Sequence, residues 1–286
     1  MSVGIRILFY RWEPNILITV EYLILRLFNV LMTTYPTGGS REQHYPSDRA
    51  KPLVSIVIVT LNAEACLRTC LLSIINQQYK NIELLVFDGL STDSTLEIIK
   101  EYDTHISYWQ SRPDQGIYDA MNKAIQKASG DWIYFIGADD KLLSGFSELA
   151  AQLKNRNTLY YGMCEPLGIL FTGKYSRYKL SKYGMNQQAL LYPTAVLKGK
   201  GYDTRYRVYA DYAINIEIWG NESIPKKYYP IVIAEYNMTG FSSYAKDEFF
   251  KADKPSLVRK HLGWLTYIRY LYKRNRELRK PESTFF

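Results

Sequence analysis

The feature that most restricts what this chain can fold into is a series of short β-branched apolar runs, each ending abruptly in acidic or amide side chains. Leu53 to Thr60 reads LVSIVIVT, bounded by Pro52 and Asn62. A run of that length with so little polar alternation predicts a strand buried on both faces. Helical periodicity follows from Ala65 to Gln77, and a second apolar run, Ile82 to Phe87, ends in Asp88-Gly89. The Ser-Thr-Asp-Ser-Thr segment after it carries side chains suited to capping a helix over Thr95 to Tyr102. Ile106 to Trp109 is predicted as a third short strand and Gly116 to Ser129 as a helix. Trp132 to Ile136 is predicted as another buried strand, which closes on Gly137-Ala138-Asp139-Asp140. Alternating strands and helices predict an α/β fold with a mostly parallel central sheet and right-handed crossovers.

Sheets of this kind bind ligands beyond the carboxyl ends of their strands, so the side chains just after each run carry the functional information. They form an acidic set: Thr60, Asn62 and Glu64 after the first run, Asp88 and Asp93 after the second, Asp139 and Asp140 after the later one. One Asp-Asp pair in a surface turn is usually only a turn. Three acidic strand ends at one edge are more than a bland fold needs. Neither G-x-G-x-x-G after the first run nor a G-x-x-x-x-G-K-[ST] loop is present, which removes the usual phosphate cradles of dinucleotide dehydrogenases and P-loop ATPases. Adjacent carboxylates at a strand end can instead hold Mg²⁺ or Mn²⁺, which bridges to a diphosphate. His44, His105 and His261 are scattered away from the acidic set, so His-based triads and His-rich metal centres fit poorly. Cys66 and Cys70, four apart on a predicted helix, lack a second ligand pair and read as core packing.

Charge divides the chain further. Of the net charge of +8, the stretch from Arg259 onward holds +6. Within it Leu257, His261, Leu262, Trp264, Leu265, Ile268, Leu271 and Tyr272 recur at helical spacing, predicting a basic amphipathic helix. Such a helix attaches to an anionic membrane surface or docks on its own domain. Ile16 to Met32 is strongly apolar but interrupted by Glu21, Arg26 and Asn29, which suits a helix lying in an interface better than one crossing a bilayer. Thr34 to Lys51 has the Pro, Gly and charge content of a linker. The expected organisation is therefore residues 1–50 as apolar helix and linker, 51–245 as the α/β domain with halves at 51–145 and 146–245, and 246–286 as the basic helix. With three cysteines, and a Met1 end without a clean apolar run and cleavage site, the chain reads as cytoplasmic. A nearly neutral core and no recognised motif argue against nucleic-acid binding.

Four segments together resemble a known family: PLVSIVIVTLNAEACLRTCLLSIINQ (52–77), VFDGLSTDST (86–95), PDQGIYDAMNKAIQKASGDWIYFIGADD (113–140) and VYADYAI (208–214). Their order and spacing are similar to those of the inverting family 2 glycosyltransferases with the GT-A fold, in the bacterial polysaccharide and lipopolysaccharide branch of the colanic-acid type. The resemblance covers about residues 52 to 245. It implies a hexosyl-type transferase taking a nucleotide-diphospho-sugar, with UDP foremost, and a glycan or lipid-linked glycan acceptor at the inner face of the cytoplasmic membrane. It places Thr60, Asn62, Glu64 and Asp88 on the base, Asp139 on the ribose side and Asp140 on the Mn²⁺ or Mg²⁺ of the diphosphate. Asp114, Gly116, Asp119 and Asn122 would wall the donor pocket, and Asp211 would be the general base. Asp203 in GYDTRY is the rival for that role, and a helix cap is the structural alternative for Asp211. Where relatives carry two acidic residues in the second-strand turn, this chain has Phe87 before Asp88; where they often carry His-Gln, it has Gln187-Gln188, implied as an acceptor or diphosphate contact.

The stretch between Leu159 and Tyr183 is rich in tyrosine, part of a total of 26, and reads either as the acceptor-facing half or as a hairpin whose rings cover the core. Two other classes compete with the transferase: a nucleotidyltransferase, whose Gly-rich basic loop is missing from LNAEACLR, and a catalytically silent scaffold, against which Asp88, Asp139, Asp140 and Asp211 all stand intact.

Overall fold

The computed structural model describes residues 35–40, 51–165, 173–237 and 246–280. The apolar run Ile16 to Met32 lies outside these residues, as does most of the predicted linker. From Thr37 onward the chain forms one compact unit. Its strands are β1 (Thr37–Gly38), β2 (Val54–Thr60), β3 (Ile82–Asp88), β4 (Tyr108–Ser111), β5 (Trp132–Gly137), β6 (Lys141–Leu142), β7 (Leu159–Glu165), β8 (Leu190–Pro193) and β9 (Lys226–Glu235). Among the described residues they make one sheet in the order β1-β4-β3-β2-β5-β8-β7-β9-β6. The helices are α1 (Leu67–Ile75), α2 (Thr95–Glu101), α3 (Ile117–Lys127), α4 (Gly145–Ala150), α5 (Arg177–Lys182), α6 (Thr194–Lys200), α7 (Ala210–Gly220), α8 (Glu248–Leu257) and α9 (Trp264–Glu277).

β4, β3, β2 and β5 run parallel, and β8 joins antiparallel between β5 and β7. Side chains alternate across the sheet, so each apolar run serves two cores. Val57, Leu85, Phe87, Ile133 and Phe135 face α3 and α7, which contribute Met121, Ala124, Ile125, Ala213 and Ile216. Ile56, Ile58, Leu84, Val86 and Ile136 face the other way, against Leu67, Leu71 and Ile74 of α1, Ile98 and Ile99 of α2, and Phe146 and Leu149 of α4. Both faces are covered, which is why the runs are apolar throughout.

The structure departs from the sequence reading at four places. The third strand begins at Tyr108 rather than Ile106, because a 3₁₀ turn over Asp103–His105 uses the preceding backbone, with the Ile106 amide closing on Tyr102 O at 3.2 Å. Thr37-Gly38, expected in the linker, pairs with Gln110 and Trp109 of β4. A Cβ at Gly38 would lie 2.6 Å from Trp109 Nε1, and Gly39 sits at φ +107° with its amide donating to Asp103 at 2.8 Å, so the two glycines let the chain lie flush on the indole. The described part of the tyrosine-rich stretch contributes a strand of the central sheet, β7, paired outside the stretch, antiparallel with β8 and parallel with β9, and Tyr160, Tyr161 and Tyr175 are core residues. Finally, the basic C-terminal pattern is two helical pieces. α8 runs into a π-helical turn, Val258–Leu262, and Gly263 at φ +86° breaks the axis before α9. Phe250, Val258, Leu262 and Tyr270 join the α7 side of the main core, so this segment is built into the body.

Candidate active site

Strand register alone brings the predicted acidic edge together. Thr60 pairs with Asp88, Asp88 with Ser111, and Val59 with Gly137, so four parallel strands end level with one another. The two loops leaving β2 and β3 are then laced by side chains. Asn62, at φ +51°, accepts the Thr92 amide at 2.9 Å and donates its own amide to Ser91 Oγ at 2.8 Å. Glu64 accepts the Ser94 amide at 2.9 Å and its own amide reaches Asp93 at 3.1 Å, while the Ala63 amide donates to Thr95 Oγ1 at 2.7 Å. Asn62 and Glu64 therefore fix the shape of the edge as well as standing on it.

The predicted residues separate into inward and outward ones. Asp88 is buried and accepts from the Ser91 amide at 3.0 Å and from the hydroxyls of Ser91 and Ser111. Thr60 is buried with a hydroxyl that has no partner among the described residues. Asp140 is buried as well, accepting from the amides of Gly137 and Asn237, both at 2.9 Å, and from Gln188 Nε2 at 2.7 Å. Burial, with the neighbouring Asp139 charge, holds the Asp140 carboxyl above its ordinary range against those donors. Asp139 is exposed. The two carboxylates converge, since the position a Gly137 Cβ would take lies 2.7 Å from Asp140 Oδ2 and 2.9 Å from Asp139 Oδ1. Cys66, at the head of α1, marks the same cluster: burial first, then the charges of Asp139, Asp140 and Asp93, raise its thiol. Among the described residues no three His, Cys, Asp or Glu side chains form a ready-made cage. One or two carboxylates beside a diphosphate are the setting in which Mg²⁺ is usually held, so these residues fit such an ion.

The block before α3 borders this edge. Asp114 accepts the Gly116 amide at 2.8 Å, and its other oxygen lies 2.9 Å from the place a Gly89 Cβ would occupy. Gly116, at φ +117° with open space around it, starts α3, and Asp119 accepts the Gln115 amide at 2.9 Å and Lys123 at 2.8 Å. Asn122 points elsewhere: its amide clamps the Tyr202 backbone with bonds of 2.9 and 2.7 Å.

Asp211 is half-buried in the first turn of α7. The Tyr118 hydroxyl donates toward its carboxylate at 2.8 Å and toward Val208 O at 2.6 Å. Burial pushes the Asp211 carboxyl up to about 6, despite the bonds from Tyr118 and the Tyr212 amide. Its charge is felt by the buried hydroxyls of Tyr118, Tyr192 and Tyr202. Asp203, by contrast, is exposed and tied to Arg205 at 2.7 Å, which holds it below the usual carboxylate range. The 3₁₀ turn Gln187–Ala189 spans the two acidic regions. Gln188 donates to Asp140, and the adjacent Gln187 donates to Tyr202 OH at 2.8 Å. Sequence reasoning missed Asp247, whose carboxylate accepts the Val208, Tyr209 and Phe250 amides at 2.9, 3.2 and 3.0 Å, capping α8 and fixing the approach to α7 at once. Its only sequence signal is a capping position before α8.

The model for glycosyl transferase family 2 matches residues 55–198 of this chain. The chain belongs to that family. Among curated family members, a PGL/p-HBAD biosynthesis glycosyltransferase of Mycobacterium bovis is 32% identical over 228 residues, covering 73% of this chain and 87% of the relative. An uncharacterized glycosyltransferase of Haemophilus influenzae is 36% identical over 116 residues, 39% of this chain and 46% of that protein. Among solved structures, S. aureus TarS 1-349 in complex with UDP-GlcNAc superposes with a TM-score of 0.60 at 16% identity, covering 80% of this chain and 77% of that 1-349 chain. The mannosyltransferase PcManGT from Pyrobaculum calidifontis, solved with GDP-Man and Mn²⁺, gives 0.55 at 14% identity over 90% of this chain and 82% of its own. At those identities the structures carry the fold, and the central sheet flanked by helices is the GT-A arrangement. This family 2 glycosyltransferase is an enzyme that moves a sugar, and among its described residues no helix is long and apolar enough to cross a membrane.

Proposed function

We propose that the chain is an inverting transferase that moves a sugar from a nucleotide-diphospho-sugar, UDP-linked first among candidates, to a hydroxyl of a lipid-linked or polysaccharide acceptor. The observation that carries this reading is Asp211, a half-buried carboxylate at the start of a helix, pushed by burial up to a pKa of about 6 and reached from the acidic strand edge by Gln188 on Asp140, Gln187 on Tyr202, and the Tyr202 ring against Tyr118, which donates to Asp211. A base with that value is ionised at neutral pH yet able to take a proton. The acceptor hydroxyl gives its proton to Asp211 as its oxygen bonds the anomeric carbon, and the bond from that carbon to the diphosphate oxygen breaks on the opposite face. One displacement inverts the centre and releases the nucleoside diphosphate. Tyr118 orients the free Asp211 oxygen.

On the donor side, Asp139 is the exposed carboxylate and Asp140 its buried neighbour, and these two would hold Mn²⁺ or Mg²⁺, which offsets charge on the departing diphosphate. Thr60, with its unmatched hydroxyl, and the laced loop of Asn62, Glu64 and Asp88 form the floor for the base. Asp114, Gly116 and Asp119 border the donor at the head of α3, whereas Asn122 serves by holding Tyr202 beside Asp211. TarS and PcManGT were solved with a UDP-sugar and a GDP-sugar respectively, which is the donor class proposed.

The test is a thermal-shift series with UDP, GDP, dTDP and CMP, with and without Mn²⁺, on wild type, Asp139→Ala and Asp211→Asn. At 100 times its dissociation constant the right nucleotide stabilises the fold by about 2.7 kcal/mol. Metal-dependent stabilisation by one nucleotide, lost in Asp139→Ala and kept in Asp211→Asn, supports the reading. The absence of any shift removes the donor site from this edge.

A further inference from the structure

Helix α9 presents large apolar side chains on the side away from its own core. Tyr270 is buried, yet Trp264 is 65%, Leu265 74%, Ile268 58% and Tyr272 73% exposed. At 100° per residue these four fall within a sector of about 100°. A soluble surface tolerates scattered apolar residues, but a contiguous stripe of Trp, Leu, Ile and Tyr marks an interaction site. Basic groups rim it: Arg269, Arg276 and Arg279 are exposed on α9 and its end. Arg269 lies over the Tyr178 ring of α5 at 4.0 Å, and Lys182 of α5 lies 4.4 Å from the Tyr178 ring centre and 5.2 Å from that of Tyr183. The face therefore continues across α5, mixing cations with amphipathic rings.

Its acids are few and engaged. Glu277 is bound by Lys273 at 2.6 Å and Lys280 at 2.9 Å, and Glu222, beside α5, by Arg177 at 2.9 Å. A second copy of the chain would meet this face with like charge, whereas a negatively charged apolar surface matches both of its components. We infer that α5 and α9 form a docking face for an anionic lipid bilayer, with Trp264, Leu265, Ile268 and Tyr272 entering the headgroup boundary and the arginines on phosphate. The face is mechanically close to the base, because the Tyr212 hydroxyl, one residue from Asp211, donates to Leu180 O of α5 at 2.5 Å. It stands on exposure and charge, and does not require the acceptor assignment made above.

The experiment is co-sedimentation of the full-length protein with phosphatidylcholine vesicles and with vesicles containing phosphatidylglycerol, for wild type, Leu265→Ser/Ile268→Ser and Arg276→Glu/Arg279→Glu. Because other segments can also bind lipid, quenching by brominated lipid is read as the difference between wild type and Trp264→Phe, which isolates this helix. Expected are binding that requires the anionic lipid, partition roughly tenfold or more weaker in each double variant, and quenching that disappears with Trp264. Unchanged thermal melting of the variants confirms that they fold. Vesicle binding indifferent to these substitutions, or no quenching assignable to Trp264, overturns the inference. So does a concentration-dependent dimer that the serine variant dissolves in the absence of lipid binding, which would give the face to a second copy.

Discussion

Asp211 concentrates the tension between stability and chemistry into one carboxyl group. Its folded pKa of about 6 lies above the value of 3.8 for an exposed Asp, so the native state holds the proton more tightly than the unfolded chain does. Ionising it therefore costs stability progressively from about pH 4 to pH 6, and fully above that. Asn at this position keeps an oxygen for Tyr118 and carries no charge to desolvate. Asp211→Asn is expected to be more stable than wild type at pH 7, by ~1–3 kcal/mol, and nearly equal to it at pH 3.5. The same variant is expected to lose turnover by about 10²-fold or more, while wild-type kcat rises through pH 6 as the base ionises. Urea midpoints at the two pH values and a pH–rate profile check both halves. A variant that is less stable at pH 7 and still active would return Asp211 to a capping role.

At the scale of elements, the acidic edge depends on loops that bind each other. Thr95 is buried and its hydroxyl accepts the Ala63 amide across the two loops. Thr95→Val preserves shape but orphans that amide, which is expected to cost about 1–3 kcal/mol. Nucleotide affinity should fall in step with the melting temperature, because the loops after β2 and β3 lose their common register; titration calorimetry with the responsive nucleotide measures it. The strands were legible in sequence because runs such as IVIVT and IELLVF are buried on both faces and cannot be much else. Asp139 and Asp140 were legible as a strand-end pair, but not which of them faces outward: that depends on Gln188 and Asn237, distant in sequence, supplying donors to Asp140. The family resemblance placed Asn122 in the donor wall with Asp119, while its amide binds the Tyr202 backbone one turn further along α3.

At the scale of the whole molecule, the C-terminal segment is a brace for α7, the helix that carries Asp211. A Cβ on Gly220, at the end of α7, would lie 2.1 Å from His261 O, so the π-helical turn crosses α7 at backbone distance. Gly220→Ala must push the two apart and is expected to destabilise the fold by about 1–3 kcal/mol or more, read as a lower urea midpoint. Donor binding at the opposite half should survive at temperatures where the variant is folded. Sequence periodicity detected this segment's helical character but not its docking, because Phe250, Val258, Leu262 and Tyr270 find their partners across the fold. Asp247 offered only a capping position for the same reason, since its bonds to the Val208 and Tyr209 amides are distant in sequence.

The Gln187-Gln188 turn has a consequence for redesign. Two consecutive side chains reach in different directions, Gln187 to Tyr202, whose hydroxyl feels the Asp211 charge, and Gln188 to Asp140. In the reaction proposed above they would act as a fixed gauge between the departing diphosphate and the incoming hydroxyl, with a span set by a single peptide unit. Lengthening this turn by even one residue would put the two ends out of step, so any grafting of loops to change the acceptor has to leave its length alone.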